Sequence, residues 1–475
     1  MKNSLAKNYI FNLIYQMLTV ITPLVTTPYV SRVLGATNIG IYGYTFSIVT
    51  YFVLFGSLGI SMYGQREIAY VQNDSEKKSK IFWELVLIRL ITNLIALSVF
   101  YYFFCRSGDY ATYYKILIFE LSASAFDISW YFMGIEDFGK PVIRTIIVKL
   151  IGLICIFLFV KEQNDLWKYL LIYSLSDFLG NITLWFYVPK YISKPTLKKL
   201  SYIYHIQPVL SLFVPQIATQ VYTVLDKTMV GNITKDMSEV GYYDNAQKIV
   251  KALLALVTAM GSVMSSRIAA SFSNGDKEDM KGYLAQSINL VWMISVPFAF
   301  GLIAISDILV PWYFGEGYEP VKYLMCATTP ILISIGLSNI TGIQYLIQVG
   351  KQNQYTISVV AGAVINMIFN YIFIHVFGTI GAVISTVIAE YSILGIQLFF
   401  VRNELDIKSF FTPCFKYLIS GITMCIIVYF VEHSIGSGTI SILVSILVGV
   451  VSYVVMLLVL KDKFFKRLLN QLLRK

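Results

Sequence analysis

Lys248 and Lys251 stand three residues apart, on one face of any helix that carries them. Asp226 and Lys227 lie in the preceding apolar segment. Asp226 can neutralise only one of these three lysines, so positive charge is left over. That surplus suits a diphosphate or another anionic ligand. The alternative is that Lys248 and Lys251 snorkel to a membrane interface. A second set is mixed in sign: Arg89, Asp127, Lys149, Asp177 and Glu390 all sit inside apolar stretches. An ionisable side chain at bilayer depth costs roughly 2.5–3.5 kcal/mol on insertion scales and is a functional candidate by default. Arg89 and Asp127 fall at matching depths on neighbouring antiparallel segments, which predicts a buried ion pair. Lys149 lies at similar depth. Asp177 and Glu390 fall near mid-segment, where a carboxyl either exchanges a proton during turnover or partners a buried base.

Residues for covalent chemistry are missing from the pattern. The chain has no Walker-type phosphate loop and no nucleophile elbow. His205, His375 and His433 are scattered without metal-ligand spacing. Cys105, Cys155, Cys326, Cys414 and Cys425 show no paired spacing and read as free thiols in or near apolar runs. The expectation is a chain with no catalytic residue, no metal, no cofactor and no ATP hydrolysis of its own.

The segments that position these charges are membrane helices. The 475 residues are 57% hydrophobic and 13% charged, whereas soluble proteins run near a quarter charged. Fourteen apolar runs approach the ~20 residues needed to cross a bilayer. Their centres are near Met17, Ser47, Thr92, Ala123, Ile151, Ser176, Ala218, Ala255, Val291, Ile333, Asn366, Glu390, Cys425 and Leu447. The first extends from Tyr9 to about Val30, longer than a signal-peptide core, and is expected to be a membrane helix. With an even number of spans, both termini share a side. Most of the 37 Lys and Arg residues then fall on that side, which makes it cytoplasmic. Arg32, Arg106, Lys115, Lys161, Lys168, Lys235 and Lys322 fall opposite. The net charge of +10 is therefore mostly an orientation signal spread over short loops, and no nucleic-acid partner is expected.

The chain also matches itself at an offset of 201. Gly40 falls on Gly241, Tyr42 on Tyr243, Ile48 on Ile249, Arg66 on Arg267 and Lys80 on Lys281. Further on, Gly139-Lys140 precedes the fifth segment and Gly350-Lys351 the eleventh, and Asp177 and Glu390 sit mid-segment in the sixth and twelfth. Copies six helices apart are parallel repeats, the arrangement of transporters built around a substrate path. The expected organisation is an N-terminal lobe at 1–190, a cytoplasmic linker at 191–205 and a C-terminal lobe at 206–402. Two further helices and a basic tail fill 403–475. Pro23 and Pro28 in the first segment, and Pro208 and Pro215 in the equivalent seventh, each favour a kink.

These patches resemble the polysaccharide flippase family of the multidrug/oligosaccharidyl-lipid/polysaccharide exporter superfamily. The resemblance is carried by Ser31-Arg32-Val33-Leu34-Gly35 with Ile39-Gly40-Ile41-Tyr42, and by the run from Asp127 to Glu136. Asp226-Lys227-Thr228-Met229-Val230-Gly231, Glu239-Val240-Gly241-Tyr242-Tyr243, and Gly350-Lys351 through Asn366 and Asn370 to Ala382 continue it. It implies an all-α integral-membrane fold of about fourteen helices, two six-helix lobes around a central cavity plus two C-terminal helices. It implies export of oligosaccharide repeat units carried on undecaprenyl diphosphate for capsule, exopolysaccharide or O-antigen assembly at the bacterial cytoplasmic membrane. The cationic cavity of relatives maps onto Arg32, Arg66, Asp226, Lys227, Lys248, Lys251 and Arg267, and Arg89 is added here as part of the same path. The implied partners are the lipid-linked oligosaccharide, membrane lipids, and the polymerase and glycosyltransferases of the pathway.

Two other functions compete. A cation-coupled multidrug exporter of the same superfamily should carry surplus acid where this chain carries surplus base. A membrane glycosyltransferase or polymerase should carry a sizeable outer loop with catalytic residues, and none is visible.

Overall fold

A computed structural model describes residues 2–194, 201–259, 261–436 and 438–473. Lys198 and Lys199 of the expected linker, and Arg474 and Lys475 of the tail, lie outside the described residues, as do the side chains of Lys2, Lys7 and Pro215. Every regular element among the described residues is helical. That follows from the composition: apolar runs placed in lipid must satisfy each backbone N–H and C=O internally, and a helix does so within one segment.

The first half comprises α1 (Lys2–Ser57), α2 (Ile60–Tyr70), α3 (Ser75–Phe100), α4 (Ala111–Phe126), α5 (Ser129–Gly134), α6 (Gly139–Phe159), α7 (Leu166–Trp185) and α8 (Val188–Tyr191). There follow α9 (Ile203–Thr234), α10 (Met237–Thr258), α11 (Gly261–Ser273), α12 (Lys277–Phe314), α13 (Glu319–Thr328) and α14 (Ile331–Ser338). The chain ends with α15 (Gln352–Phe377), α16 (Thr379–Val401), α17 (Ile407–Phe411), α18 (Cys414–Ile435), α19 (Thr439–Val459) and α20 (Lys463–Leu473). Eleven helical stretches among the described residues are long and apolar enough to cross a membrane. All fourteen expected run centres fall in helices. Met17 and Ser47 share α1, while Ser176 in α7 and Ala218 in α9 belong to helices outside those eleven stretches. Large apolar side chains remain exposed along the long helices, for example Leu447, Val450 and Val459 on α19 and Met367, Tyr371 and Val376 on α15. Faces of that size suit lipid rather than water.

The backbone of α1 leaves helical dihedrals at Gly35, with φ 77° and ψ 167°. Proline's fixed φ is compatible with a helix, whereas a positive φ is open mainly to glycine. The Leu34-Gly35 step of the family-like motif is thus the point where one long helix becomes two. Asn38 pins the break by donating to the carbonyls of Leu34 (3.0 Å) and Gln163 (2.9 Å).

The chain divides into two compact units. One is Met1–Gly231 with Asp236–Gly241; the other is Asn232–Lys235 with Tyr242–Lys475. The first unit has two cores. Val49, Phe100, Leu117, Leu121 and Leu170 fill the one between α1, α3, α4 and α7. Trp130, Tyr131 and Phe132, from the Asp127–Glu136 motif, fill the other against Phe82 and Tyr63. Within this unit α1 and the first turn of α10 touch backbone to backbone. A Cβ on Gly40 would lie 1.5 Å from the Met237 carbonyl oxygen, and one on Gly241 would lie 2.1 Å from that of Ala36. The leading pair of the self-match is therefore one physical crossing, open only to glycine on both sides. The second unit is built on α12, whose Trp292 Nε1 donates to the Phe410 carbonyl (2.8 Å) while its apolar face meets α18.

Lys140 and Lys351, matched in the sequence, also have a local use. Lys140 pairs with Asp137 and donates to the Tyr191 hydroxyl (2.6 Å). Lys351 pairs with Glu404, which accepts a further bond from Tyr345 (2.7 Å). The hydrogen bond from Lys351 holds the Glu404 carboxyl below the usual carboxylate range. Its contribution to stability is present above that range and is lost as pH falls through the lowered value.

Candidate functional site

In the first unit Arg89 is almost fully buried, 3% exposed. Its guanidinium spends its donors on three partners: the Ser124 carbonyl (2.6 Å), the Ser61 hydroxyl (3.3 Å) and Asp127 Oδ2 (3.4 Å). The other Asp127 oxygen accepts from the Ser129 backbone N–H (2.9 Å) and also from its hydroxyl. α4 ends at Phe126 and α5 begins at Ser129, so the helix break itself supplies the amide that holds the carboxylate. Beside it, Asn93 donates to the Gly56 carbonyl (3.0 Å) and accepts from Ser124 (2.6 Å). The pair thus belongs to a packed network joining α1, α2, α3 and α4, with Arg89 committed to fixed partners.

Asp177 on α7 interacts electrostatically with Arg144 and Lys149 on α6, and with Glu120 on α4. Arg144 donates to Asn181 (2.8 Å), and Asn181 in turn donates to the Ala123 carbonyl (2.8 Å). Glu120 was not among the sequence candidates, although it lies as deep in an apolar run as Asp127.

A third cluster also escaped sequence reasoning. Tyr63 on α2 meets His205 Nδ1 at 2.7 Å, and His205 Nε2 meets Glu84 Oε2 at 2.9 Å. Glu84 also accepts from the Ser201 backbone N–H and lies 3.8 Å from Lys80. All three side chains are buried. With its proton on Nε2, the imidazole donates to the Glu84 carboxylate and accepts a hydrogen bond from the Tyr63 hydroxyl at Nδ1, so both ring nitrogens have a partner. Through it the first turn of α9 is tied to α2 and α3. Read as spacing alone, His205 looks isolated, because its partners are 121 and 142 residues away. His205→Ala should leave Glu84 buried without its main partner, at a cost of about 2–3 kcal/mol. A lowered thermal midpoint in detergent, with His205→Gln intermediate, is the expected result.

Arg32 and Arg66 are exposed on α1 and α2. Arg66 pairs with Glu67 (3.0 Å) and lies 5.3 Å from the Tyr63 ring centre. Asp226 is buried within electrostatic reach of Tyr51, and Lys227 is half-buried beside it.

In the second unit Lys248 is bound by Asp244, at 2.7 Å and one helical turn earlier. Asp244 is 2% exposed. It is the carboxylate that sequence reasoning overlooked, though its four-residue spacing to Lys248 is a readable signal. Lys251 is exposed. Arg267 is exposed on α11 and lies 5.7 Å from the Tyr283 ring centre. Glu390 is buried within electrostatic reach of Tyr355. Close by, Gln397 accepts from Thr341 (2.5 Å) and donates to Ser358 (3.1 Å).

The charged residues therefore fall into two physical kinds. Arg89 and Glu84 are enclosed and hydrogen-bonded within one unit, and Asp127 is half-buried against Arg89 in it. Arg32, Arg66, Lys251 and Arg267 present charge at an accessible surface and can meet a ligand without breaking a core. No group of three or more potential metal ligands occurs among the described residues.

Residues 5–269 match the family described as polysaccharide biosynthesis protein, and residues 187–449 match the family of the lipid II flippase MurJ. A protein of Escherichia coli K12 named as an O-antigen transporter is 24% identical over 410 residues, covering 85% of this chain and 98% of that protein. A Haloferax volcanii protein named as a low-salt glycan biosynthesis flippase is 22% identical over 451 residues, covering 93% of each. Among solved structures, the lipid II flippase MurJ in an inward closed conformation shares the fold with a TM-score of 0.77 at 17% identity. It covers 97% of this chain and 100% of that one. An inward-facing multidrug resistance transporter of the MATE family shares it with a TM-score of 0.65 at 15% identity, covering 83% and 97%. A match over more than half of the chain, on a multi-pass helical fold of this kind, places the protein among membrane transporters rather than enzymes: the chain belongs to the polysaccharide biosynthesis protein family, the polysaccharide flippases of the multidrug/oligosaccharidyl-lipid/polysaccharide exporter superfamily.

Proposed function

We propose that this protein translocates oligosaccharide repeat units linked to undecaprenyl diphosphate across the bacterial cytoplasmic membrane, for capsule, exopolysaccharide or O-antigen assembly. The observation that carries the reading is the sign of the accessible charge. Arg32, Arg66, Lys251 and Arg267 are exposed and basic, and Lys248 is half-buried beside Asp244. A diphosphate needs such donors, because charge-assisted hydrogen bonds to phosphate are worth about twice a neutral one. An exporter of cationic drugs needs the opposite sign. The names of the full-length relatives from E. coli and H. volcanii support the same class of cargo.

In this reading both termini and the 191–205 linker are cytoplasmic, and the repeats at 1–190 and 206–402 alternate access to the cargo. Residues 403–475 are an appendix to them. Arg32, Arg66, Asp226, Lys227, Lys248, Lys251 and Arg267 are the substrate-binding set. Arg89 serves the first unit's integrity rather than direct contact. With no nucleotide motif in the sequence, an ion gradient or the membrane potential drives turnover, and Asp177 and Glu390 are the carboxyls positioned to couple it. The polymerase and glycosyltransferases of the same pathway are its functional neighbours.

The test is transport in proteoliposomes. Wild-type protein is expected to move an undecaprenyl-diphosphate oligosaccharide and to leave organic-cation drugs behind. The double variant Lys248→Ala/Lys251→Ala is expected to lose at least about tenfold in initial rate, the worth of one charge-assisted bond, while eluting as a folded monodisperse species. Unchanged transport by a folded double variant would reject the assignment of these lysines. Transport of cationic drugs in place of the lipid-linked sugar would reject the substrate class.

A further inference from the structure

The C-terminal helix α20 lies outside the transport machinery described above, yet its placement is tightly determined. α19 ends at Val459, and the chain turns at once: Lys461 adopts φ 50° and Asp462 donates its N–H to the Leu457 carbonyl (3.0 Å). Asp462 is 6% exposed. Its Oδ1 accepts from the Phe465 backbone N–H (2.8 Å), capping α20, and from the hydroxyl of Tyr417 on α18 (3.4 Å). Tyr417 is itself fully buried. The first turn of α20 is therefore bolted to α18, and Phe465 packs against the core of the second unit. A positive-φ residue followed by a buried cap sets the angle at which a helix leaves, so α20 is a fixed element of the fold.

Its sequence separates cleanly by face. At about 100° per residue, Phe464, Phe465, Leu468 and Leu469 fall within an arc of about 140°. Lys463, Lys466 and Arg467 fall in an arc of about 100° centred on the opposite side. All three basic side chains are exposed. No acidic residue occurs in Lys463–Leu473 to neutralise them. A short helix with this division, attached at the end of a membrane-crossing helix, suits the plane of the interface, with its apolar face toward the acyl boundary and its charge among headgroups.

We infer that α20 is an in-plane membrane-surface helix whose basic face binds anionic phospholipid headgroups of the leaflet in which α18 begins and α19 ends. Charge complementarity commits the surface to this occupant. The helix is held where α18 begins and α19 ends, so a bilayer crossed by those two helices would bring headgroup phosphates to Lys463, Lys466 and Arg467. Asp462 and Tyr417 position the helix, and the three basic residues read the charge of the surface. The inference rests on the chain's being a multi-pass membrane protein and is independent of which sugar it carries.

Hydrogen–deuterium exchange of the full chain in nanodiscs tests it. Amides of residues 464–473 are compared in discs of neutral phosphatidylcholine and in discs half made of anionic phosphatidylglycerol. Each basic residue at an anionic surface is worth on the order of fivefold in surface occupancy. Exchange in wild-type α20 is therefore expected to slow by about tenfold or more in the anionic discs, and high salt is expected to erase the difference. Lys463→Gln/Lys466→Gln/Arg467→Gln should exchange at the same rate in both lipids. These side chains are exposed, so the fold should survive, and exchange across α12 and α18 in the same spectra checks that it does. Phe464→Ser/Leu468→Ser should exchange fast in both. Equal wild-type rates in the two lipids overturn the inference and leave the basic face to an acidic protein partner. A lipid dependence that persists in the triple variant overturns it as well.

Discussion

Gly40→Ala is expected to leave no correctly folded transporter. The added Cβ would stand 1.5 Å from the carbonyl oxygen of Met237 and 2.9 Å from the amide nitrogen of Gly241. Both obstacles are backbone, so no side-chain rotation relieves them and α1 must separate from the first turn of α10. Ordinary overpacking costs about 1–3 kcal/mol. Here the smallest possible side chain forces a backbone shift, which places the change in the exceptional class above about 4 kcal/mol. Gly241→Ala should behave alike, because its Cβ meets the Ala36 carbonyl at 2.1 Å. The measurement is the monodisperse fraction of detergent-extracted protein. Gly282→Ala, in open space on α12, is the control expected to match wild type. Normal yield and thermal midpoint for Gly40→Ala would show that α1 and α10 do not cross this closely.

The second large effect is expected at Arg89. Replacing it with methionine keeps the stem's packing but strands the Asp127 carboxylate and removes donors from the Ser124 carbonyl and the Ser61 hydroxyl. Breaking a fully buried pair by removing one partner costs about 3–5 kcal/mol; with the Asp127 side chain 25% exposed, the expected loss lies at or below the lower end of that range. Asp127→Asn should cost less, since an amide oxygen still accepts from the Ser129 N–H. The double variant Arg89→Met/Asp127→Asn should recover part of the loss, with a coupling energy of about 1–3 kcal/mol in a double-mutant cycle. Thermal unfolding of the four proteins gives the four corners of the cycle. Strict additivity would mean the two groups do not share one network. A structural role also predicts that the transport rate per folded molecule changes less at Arg89 than in the Lys248/Lys251 double variant.

The contrast between these two sites shows what is legible in a chain of this class. Gly40 and Gly241 are visible in the sequence as one pair of a weak self-match. Nothing in that match says the two residues touch, because repeat equivalence concerns ancestry and a crossing concerns space. Arg89 and Asp127 were paired from depth alone, and the reasoning works because antiparallel neighbours place residues at predictable levels. The same reasoning passed over Glu84, whose partner His205 lies 121 residues later. Asp244 differs: it stands one helical turn before Lys248, a local signal that is legible without tertiary information.

By itself the sequence determined that this is a helical membrane protein, because long apolar runs allow no other solution for the backbone in lipid. It also carries the excess of basic charge, and its self-match is the ground for expecting two parallel repeats. Family-like motifs spread over the chain were enough to point to polysaccharide flippases. Tertiary structure alone decided where the first helix bends. Beyond the two prolines that favour kinks, the structure breaks the helical dihedrals at Gly35, where the backbone takes a positive φ that proline cannot adopt. It also separated the charges into enclosed pairs and accessible bases. That division depends on which helices meet, and helix contacts are set by side-chain packing among segments far apart in sequence, which hydropathy and local spacing do not encode.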